Sequence, residues 1–362
     1  MPDNSIANAR LISQQIVNPT FKTVEEVITW MGAMQAQDFK MAKWAIGLRM
    51  KEGTEAKITE AINSGQILRT HLLRPTWHFV SREDIYLMLQ LSGAKIRAAM
   101  KGINKKSGLT ANVFKKCHSI IEKSLKGENH LSRNELLTKL AKVGISTDSN
   151  RASLILLNAE SEGIICSGKM KENQPTYSLL EEMIPGKKNF NKEEIFFSLA
   201  SKYFKSRSPA TLQDFLWWSG LSVKDGKTSL ELVKNDFCIE RINNKDYILP
   251  NSFKFSTKSE KNFFLLPAFD EFLISYKDRS ELINSDHQSK IFSNNGIFYP
   301  LIVKNGKVIG RWKRETKNDK ILIHCHFFES ANFKNYFLLK EQVKKFGVFL
   351  NVKTAIAIIK KQ

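Results

Sequence analysis

The feature that most constrains this fold is an order of elements that recurs three times along the chain. In each copy, helical segments are followed by two short apolar runs with turn residues between them. This is the pattern of helices followed by a β-hairpin. The copies lie within residues 6–80, 132–179 and 192–249. No short-period repeat accompanies them, which argues for separate small domains over a solenoid.

Local start and stop signals support the repeated order. Residues 23–26 and 132–135 match the capping box, in which a hydroxyl and a carboxylate satisfy free N–H groups of the first helical turn. Gly163 ends a helical segment, and Arg74-Pro75 and Asn243-Asn244 separate the apolar runs. Three helices and a hairpin form a winged helix, so the sequence predicts three winged helices in tandem.

Beyond residue 262 the pattern changes to strands, with Asn305-Gly306 as a two-residue hairpin turn. Strands are predicted over residues 263–274, 298–303, 307–312 and 321–327, a helix over 333–346, and a strand in the tail. We therefore expect an α+β fold. Its domains are predicted as winged helix 1 with a following helix (1–100), winged helix 2 (101–185), winged helix 3 (186–258) and a small β-rich C-terminal domain (259–362).

The charge of the chain indicates a polyanionic partner. The formal net charge is +20, and residues 201–362 carry 28 basic against 16 acidic groups. Together with winged helices, such an excess predicts binding to double-stranded DNA. Biased base composition is the alternative, because 43 of the 56 basic residues are lysines.

No apolar run reaches the ~18 residues of a membrane span, and the N-terminus does not resemble a signal peptide. We therefore expect a cytoplasmic protein, nucleoid-associated when bound to DNA, with no membrane partner. The four cysteines stand far apart and form no CxxC pair, so neither a disulfide framework nor a metal site is predicted. We expect a monomer without a small-molecule cofactor.

Gln35 and Gln37 lie in an apolar segment, residues 31–38, where a core helix needs no amide. Neutral amides can position and polarise a bound substrate, but they are not strong acids or bases. A site built on them therefore suits a reaction whose leaving group departs with little assistance. On a regular helix the two side chains would diverge, and they converge only if the helix ends or kinks there. Asp38 and Gly47 leave that open; ordinary surface glutamines are the alternative.

Two basic hairpins are candidates for DNA contact. The first contains an arginine that can bind a phosphate, a hydroxyl, an aromatic face and an imidazole. The alternative is a tryptophan that packs in the core and a histidine whose hydrogen bonds are made within the protein. The second, over residues 303–314, could enter a groove, with its tryptophan as a wedge, or be a lysine-protected edge. The predicted contacts are Arg74, Thr76, Trp77 and His78 in the first, and Lys304, Lys307, Arg311, Trp312, Lys313 and Arg314 in the second.

Asp270 and Glu271 are adjacent carboxylates in a run predicted as an apolar strand. At least one must therefore meet polar surroundings. Capping or pairing with Arg279 is the expected explanation, and a catalytic carboxylate is the alternative.

Several motifs together resemble the AlkZ/YcaQ-like DNA glycosylases over about residues 6–350. The matching stretches are residues 68–80, 265–273, 276–279, 296–298 and 308–314. Gln35-Ala36-Gln37 matches the Gln-x-Gln motif of the AlkZ branch, while Asp38 stands one place too late for the Gln-x-Asp motif of the other branch.

The resemblance implies a C-shaped array that clasps duplex DNA. It also implies a monofunctional glycosylase that removes N7-alkylated purines, in some members from interstrand crosslinks, without a metal. Gln35 and Gln37 would hold the water and stabilise an oxocarbenium-like transition state, with Asp38, Asp270 and Glu271 in support. The alternatives are a non-catalytic winged-helix DNA-binding protein, such as a transcriptional regulator, and an assembly module that uses its wings for protein contacts.

Overall fold

The computed structural model describes residues 5–148, 150–255, 262–317, 320–329, 334–352 and 355–360. Its backbone contacts divide the chain into two compact units. Unit 1 comprises Met1–Met31, Gln35–Ile58 and Phe196–Gln362, and unit 2 comprises Gly32–Met34 and Thr59–Ile195.

Helices occur in both units, and in the described residues none is long and apolar enough to cross a membrane. In chain order the helices are α1 (Ser5–Ser13), α2 (Val24–Met31), α3 (Phe39–Leu48), α4 (Glu55–Asn63), α5 (Ile85–Lys106), α6 (Ala111–Leu125), α7 (Arg133–Ala141), α8 (Arg151–Ser161), α9 (Leu180–Met183), α10 (Lys192–Arg207), α11 (Leu212–Ser219), α12 (Val223–Leu232), α13 (Glu271–Ile274) and α14 (Lys334–Phe349), with a 3₁₀ helix at Ser285–Lys290.

The strands form four sheets. In chain order they are β1 (Met34–Gln35), β2 (Ile67–Leu72), β3 (Thr76–Ser81), β4 (Leu131–Ser132), β5 (Ile165–Ser167), β6 (Thr176–Leu179), β7 (Phe237–Ile242), β8 (Lys245–Pro250), β9 (Phe263–Leu266), β10 (Leu301–Lys304), β11 (Lys307–Lys317), β12 (Lys320–Phe327) and β13 (Ala355–Lys360).

The predicted recurrence of helices and hairpins is present. A helix, a short strand, two helices and a hairpin follow one another as α2-β1-α3-α4-β2-β3 and again as α6-β4-α7-α8-β5-β6. Their sheets have equivalent strand orders, β1-β3-β2 and β4-β6-β5. In the third copy, from α10 to β8, Ala210 replaces the short strand and bridges to Ile248 of β8.

Unit 1 also contains the predicted β-rich part, a five-stranded sheet of order β13-β12-β11-β10-β9. β13 pairs with β12 in parallel, and the β9-β10, β10-β11 and β11-β12 pairs are antiparallel. Against this sheet, Phe346 of α14 packs with ring centroids 5.0 Å from Trp44 and 5.3 Å from Trp312. Phe333, where the last helix was predicted to begin, and the end of the predicted tail strand at 361–362 lie outside the described residues.

Several element boundaries differ from the prediction. α3 and α6 are not predicted from the sequence; α3 is buried on nearly all sides, so it lacks the alternating polar face that reveals a helix. In the third copy α12 begins at Val223, because Ser222 caps it and accepts the N–H of Asp225 at 3.1 Å.

A larger correction concerns residues 263–274, predicted as one strand. Only β9 is extended, and the end of the run forms α13. The reason is local: the Asp270 carboxylate accepts the N–H of Phe272 at 2.8 Å and caps this helix.

Candidate active site

Both glutamines lie in the connection between α2 and α3. α2 ends at Met31, and Gly32 follows with a φ of 71°, the left-handed conformation in which glycine commonly ends helices. β1 then holds Gln35 in extended backbone, and Gln37 lies beyond β1 in the bend before α3. The predicted departure from a regular helix at residues 35–38 is therefore confirmed.

Asp38 closes this connection by capping α3. Its carboxylate accepts the N–H of Met41 at 3.1 Å, and a negative charge is favourable at a helix N-terminus. Gly47 does not contribute to the break, because it lies inside α3. A Cβ there would stand 2.6 Å from the ring of Phe349, so Gly47 permits close packing.

The two carboxamides differ in exposure, but in the described residues neither has a protein hydrogen bond. Gln35 is 9% exposed, Ala36 is fully buried and Gln37 is exposed. Within the described ranges, the backbone N–H of Gln35 donates to Glu271, and neither side-chain amide has a protein hydrogen-bond partner. Such amides can accept from and donate to water or substrate.

Glu271 holds the backbone of Gln35. One carboxylate oxygen, Oε1, accepts the N–H of Gln35 at 2.8 Å. The other, Oε2, lies 2.9 Å from Nη2 of Arg207 and also accepts the hydroxyl of Ser275. Glu271 is 1% exposed and Arg207 fully buried, so this ion pair is screened little by solvent.

Asp270 forms a second buried ion pair. Its carboxylate accepts from both Nη groups of Arg49, at 3.0 and 2.8 Å, in a bidentate arrangement. The predicted pairing of Asp270 or Glu271 with Arg279 is wrong, since Nε of Arg279 donates to the carbonyl of Leu273. The partners are instead Arg49, the C-cap of α3, and Arg207, the last residue of α10.

The surroundings of Glu271 favour its charged form. Burial alone would raise its pKa, but the nearby Arg207 charge, the hydrogen bonds from Ser275 and Arg207, and the N–H of Gln35 outweigh burial, so the pKa lies below its ordinary value. A carboxylate so bound is a poor general base. Glu271 therefore binds the backbone beside the glutamines, and its supporting role in catalysis stays a prediction.

Of the predicted DNA contacts in the first hairpin, His78 is buried and the other three residues are partly exposed. Trp77 is half-buried, with its indole N–H donating to Glu160 at 3.2 Å, and His78 is 3% exposed, with Nδ1 2.9 Å from the carbonyl of Thr76. His78 thus matches the alternative of a satisfied histidine, whereas Trp77 is too exposed to be a core tryptophan. Arg74 and Thr76, at the turn of the hairpin, are half-exposed.

The hairpin over residues 303–314 differs from its prediction. Gly306 at its tip is buried against α1, where a Cβ would lie 2.6 Å from that of Ala7. Trp312 is 2% exposed and donates to the carbonyl of Leu266 at 2.8 Å. A buried ring cannot stack on DNA and a packed tip cannot enter a groove, so both expectations are wrong for this structure.

The basic side chains of this hairpin remain accessible. Lys313 is exposed, and four others are partly exposed: Lys304, Lys307, Arg311 and Arg314. Arg311 also lies over the ring of Tyr299, with its guanidinium carbon 5.1 Å from the centroid.

Sequence reasoning missed the residues that surround the carboxylates: Gln14, Arg49 and Arg207. Gln14 accepts from Nη2 of Arg49 at 2.7 Å and donates to the hydroxyl of Tyr276 at 3.0 Å. The available signal was an arginine within an apolar run, as at Arg49 after Ala45-Ile46-Gly47-Leu48. Its partner 221 positions away could not be read from that run.

Comparison with known proteins assigns the class. The family described as DNA glycosylase AlkZ-like matches residues 28–332, which include both glutamines and both carboxylates. The chain therefore belongs to the AlkZ-like family of DNA glycosylases.

One relative and one solved structure are similar over most of the chain. The Interstrand DNA cross-link repair glycosylase of Streptomyces sahachiroi is 22% identical over 322 residues, covering 83% of this chain and 85% of that protein. The structure of Streptomyces sahachiroi DNA glycosylase AlkZ superposes with a TM-score of 0.81 at 18% identity, covering 99% of both chains. The mixed helix and strand content predicted from the sequence is confirmed, and the fold is the same as that of AlkZ.

Proposed function

We propose that this protein hydrolyses the N-glycosidic bond of N7-alkylated purines in double-stranded DNA, with Gln35 and Gln37 as its catalytic residues. The observation that carries the proposal is the pair of carboxamides without protein hydrogen bonds in the described residues, one of them on a backbone that a buried ion pair anchors. Unpaired amides on a fixed backbone are suited to bind a water and a developing charge.

The chemistry needs only what these side chains offer. Alkylation at N7 makes the purine cationic, so the C1′–N9 bond breaks with its electron pair going to the base, which departs neutral without a general acid. The carbonyl oxygens of Gln35 and Gln37 face the oxocarbenium-like sugar and orient a water molecule. The water oxygen bonds to C1′ and its proton passes to solvent, in a monofunctional reaction that uses no cofactor.

DNA binding is assigned to winged helices and basic side chains. We interpret the three repeated sets of helices and hairpin as winged helices, with the predicted boundaries at residues 1–100, 101–185 and 186–258 and the β-rich domain at 259–362. Backbone contacts come from Arg74 and Thr76 in the first wing and from the accessible cations of residues 303–314. We expect the protein to act as a monomer in the cytoplasm, associated with the nucleoid while on DNA.

Crosslinks are a second substrate class for the same site. The curated relative is named for interstrand cross-link repair, and an N7-linked crosslink also places positive charge on its purines. Breaking one glycosidic bond would unhook the two strands by the same reaction.

The test is release of N7-methylguanine from a methylated duplex under single-turnover conditions. Gln35→Ala and Gln37→Ala should each slow release by about 100-fold or more, while the duplex still binds. Gln66→Ala is the matched control, since Gln66 is an exposed glutamine remote in sequence from the site, and it should release base at the wild-type rate.

Two results would contradict the proposal. Release at the wild-type rate by a Gln35→Ala and Gln37→Ala double variant would remove the catalytic role of the amides. A wild-type protein that binds duplex DNA but frees no base, at any salt that permits binding, would favour the non-catalytic DNA-binding protein.

A further inference from the structure

The Arg207–Glu271 ion pair contacts the chain on both sides of the turn that precedes Gln35. Nη1 of Arg207 donates to the carbonyl of Met31, the last residue of α2, at 2.8 Å. Glu271 accepts the N–H of Gln35 at 2.8 Å, and the two side chains are 2.9 Å apart. The ion pair therefore binds the backbone on both sides of residues 32–34.

Both side chains are held in single positions. Nε of Arg207 donates to Ser275 at 2.9 Å, and its guanidinium carbon lies 4.5 Å from the ring centroid of Trp218. Glu271 accepts from Ser275, Arg207 and Gln35 with both oxygens in use. A buried ion pair is costly to desolvate and apolar side chains of similar volume could fill its space, so packing alone does not require it.

We propose that Glu271 and Arg207 are positioning residues of the active site, which fix the Met31 carbonyl and the Gln35 N–H and so set the direction of the Gln35 carboxamide. This inference rests on the proposed catalytic role of Gln35. Because that carboxamide makes no protein hydrogen bond within the described chain, its direction follows from its backbone and packing. A displacement of about 1 Å at a reacting group can slow a reaction by about 100-fold.

Two variants separate positioning from stability. Glu271→Gln keeps an oxygen that can accept the Gln35 N–H but removes the charge next to Arg207. The double variant Arg207→Met with Glu271→Met removes both charges together, so no unpaired charge is left in the interior. It is the variant to use if Glu271→Gln does not fold.

Asp214→Asn is the matched control. Asp214 is a carboxylate that is 1% exposed and lies 3.5 Å from the buried Arg10. It also accepts the backbone N–H groups of Lys277 and Asp278, at 2.9 and 3.3 Å, but has no bond to residues 31–38 in the described structure. The variant should lose thermal stability, yet release base at the wild-type rate when assayed below its unfolding temperature.

Three quantities are measured on each full-length folded variant: the single-turnover rate of N7-methylguanine release, the Kd for the methylated duplex, and amide hydrogen exchange over residues 31–38. We expect the double variant to release base about 10- to 100-fold more slowly, with Kd within about twofold of wild type and faster exchange at Gln35. Glu271→Gln should fall between it and wild type.

Wild-type release by the double variant despite faster exchange would overturn the positioning role, and unchanged exchange would overturn the contact itself. Slow base release by Asp214→Asn would also overturn the positioning role, because the loss of any buried charge would then be enough to slow the reaction. If wild-type protein frees no base, the proposed function fails, while exchange at Gln35 still decides whether Glu271 holds this backbone.

Discussion

Each unit buries a glutamate, but the partners differ. In unit 1, Glu271 pairs with Arg207. In unit 2, Glu160 of α8 is also 1% exposed, and it contacts Nδ1 of His71 and accepts the indole N–H of Trp77 at 3.2 Å. An arginine keeps its charge in any environment, whereas a histidine can be a neutral hydrogen-bond partner.

This difference separates two uses of a buried carboxylate. The His71, Trp77 and Glu160 cluster joins the β2–β3 hairpin to α8 through contacts between side chains. The Glu271 pair contains a permanent cation and holds the backbone of a proposed catalytic residue. A buried permanent charge carries the larger energetic penalty when its partner is lost.

The sharpest test replaces each glutamate by leucine. Glu271→Leu leaves Arg207 charged and unpaired, and should lower the free energy of unfolding by about 3–5 kcal/mol. Glu160→Leu leaves the polar groups of His71 and Trp77 without this hydrogen-bond partner, and should cost about 1–3 kcal/mol. Urea unfolding, with hydrogen exchange to report each unit, measures both; equal losses would break the comparison.

Acid should weaken the Glu271 pair. The pKa of Glu271 is lowered in the folded protein from an ordinary value of 4.5. A lowered folded pKa stabilises the native state above that value, and the contribution is lost as the pH falls through the folded pKa, with a slope of up to about 1.4 kcal/mol per pH unit.

The measurement is the free energy of unfolding of wild type and Glu271→Gln between about pH 3 and pH 6. The difference between the two proteins should shrink below pH 4.5. Glu231→Gln, at a side chain that is 68% exposed, serves as control and should follow the wild-type curve. A difference that stays constant across the range would argue against the charged pair.

A smaller effect is expected from the indole of Trp77. Trp77→Phe keeps the aromatic contacts to His71 and Arg69, whose distances to the ring centroid are 4.5 and 4.3 Å. It removes the hydrogen bond to Glu160, so the stability of unit 2 should fall by about 1 kcal/mol. Thermal unfolding detects this change; a loss as large as that of Glu160→Leu would mean that the indole hydrogen bond accounts for the whole contribution of Glu160.

The smallest effect should come from an exposed ion pair in unit 1. Burial acts to raise the pKa of Asp278, but contacts with Lys245 and Ser280 outweigh it and the pKa lies at about 2. The side chain of Asp278 is 48% exposed, so solvent screens the pair and Asp278→Asn should cost less than about 1 kcal/mol. A loss comparable to that of Glu271→Leu would show that burial is not what distinguishes the pairs.

Local rules predicted much of the fold. The capping box at Ser132 opens α7, and Asn305-Gly306 forms the turn between β10 and β11 with φ of 49° and 78°. The prediction failed where tertiary packing overrides local pattern. α3 is buried too completely to show an amphipathic face, and an apolar run alone does not distinguish the strand β9 from the short helix α13.

The candidate site was predictable in part. The glutamines stand out as amides in an apolar segment, and Gly32 and Asp38 are residues that end and begin helices. Trp312 was predicted to contact DNA from its side-chain chemistry alone, but a tryptophan on a strand can pack in a core equally well. Its burial depends on Phe346 and Leu266, which the sequence places far away.

Sequence alone therefore settled which chemistry is present: two neutral amides at residues 35 and 37, adjacent carboxylates at 270 and 271, and the family that contains them. Only the tertiary structure decided which side chains meet. Arg207 and Glu271 are 64 positions apart, and Gln35 and Glu271 are 236 apart. Such pairings follow from how helices pack, because hydrogen bonds depend on distance in space while sequence patterns report only neighbours along the chain.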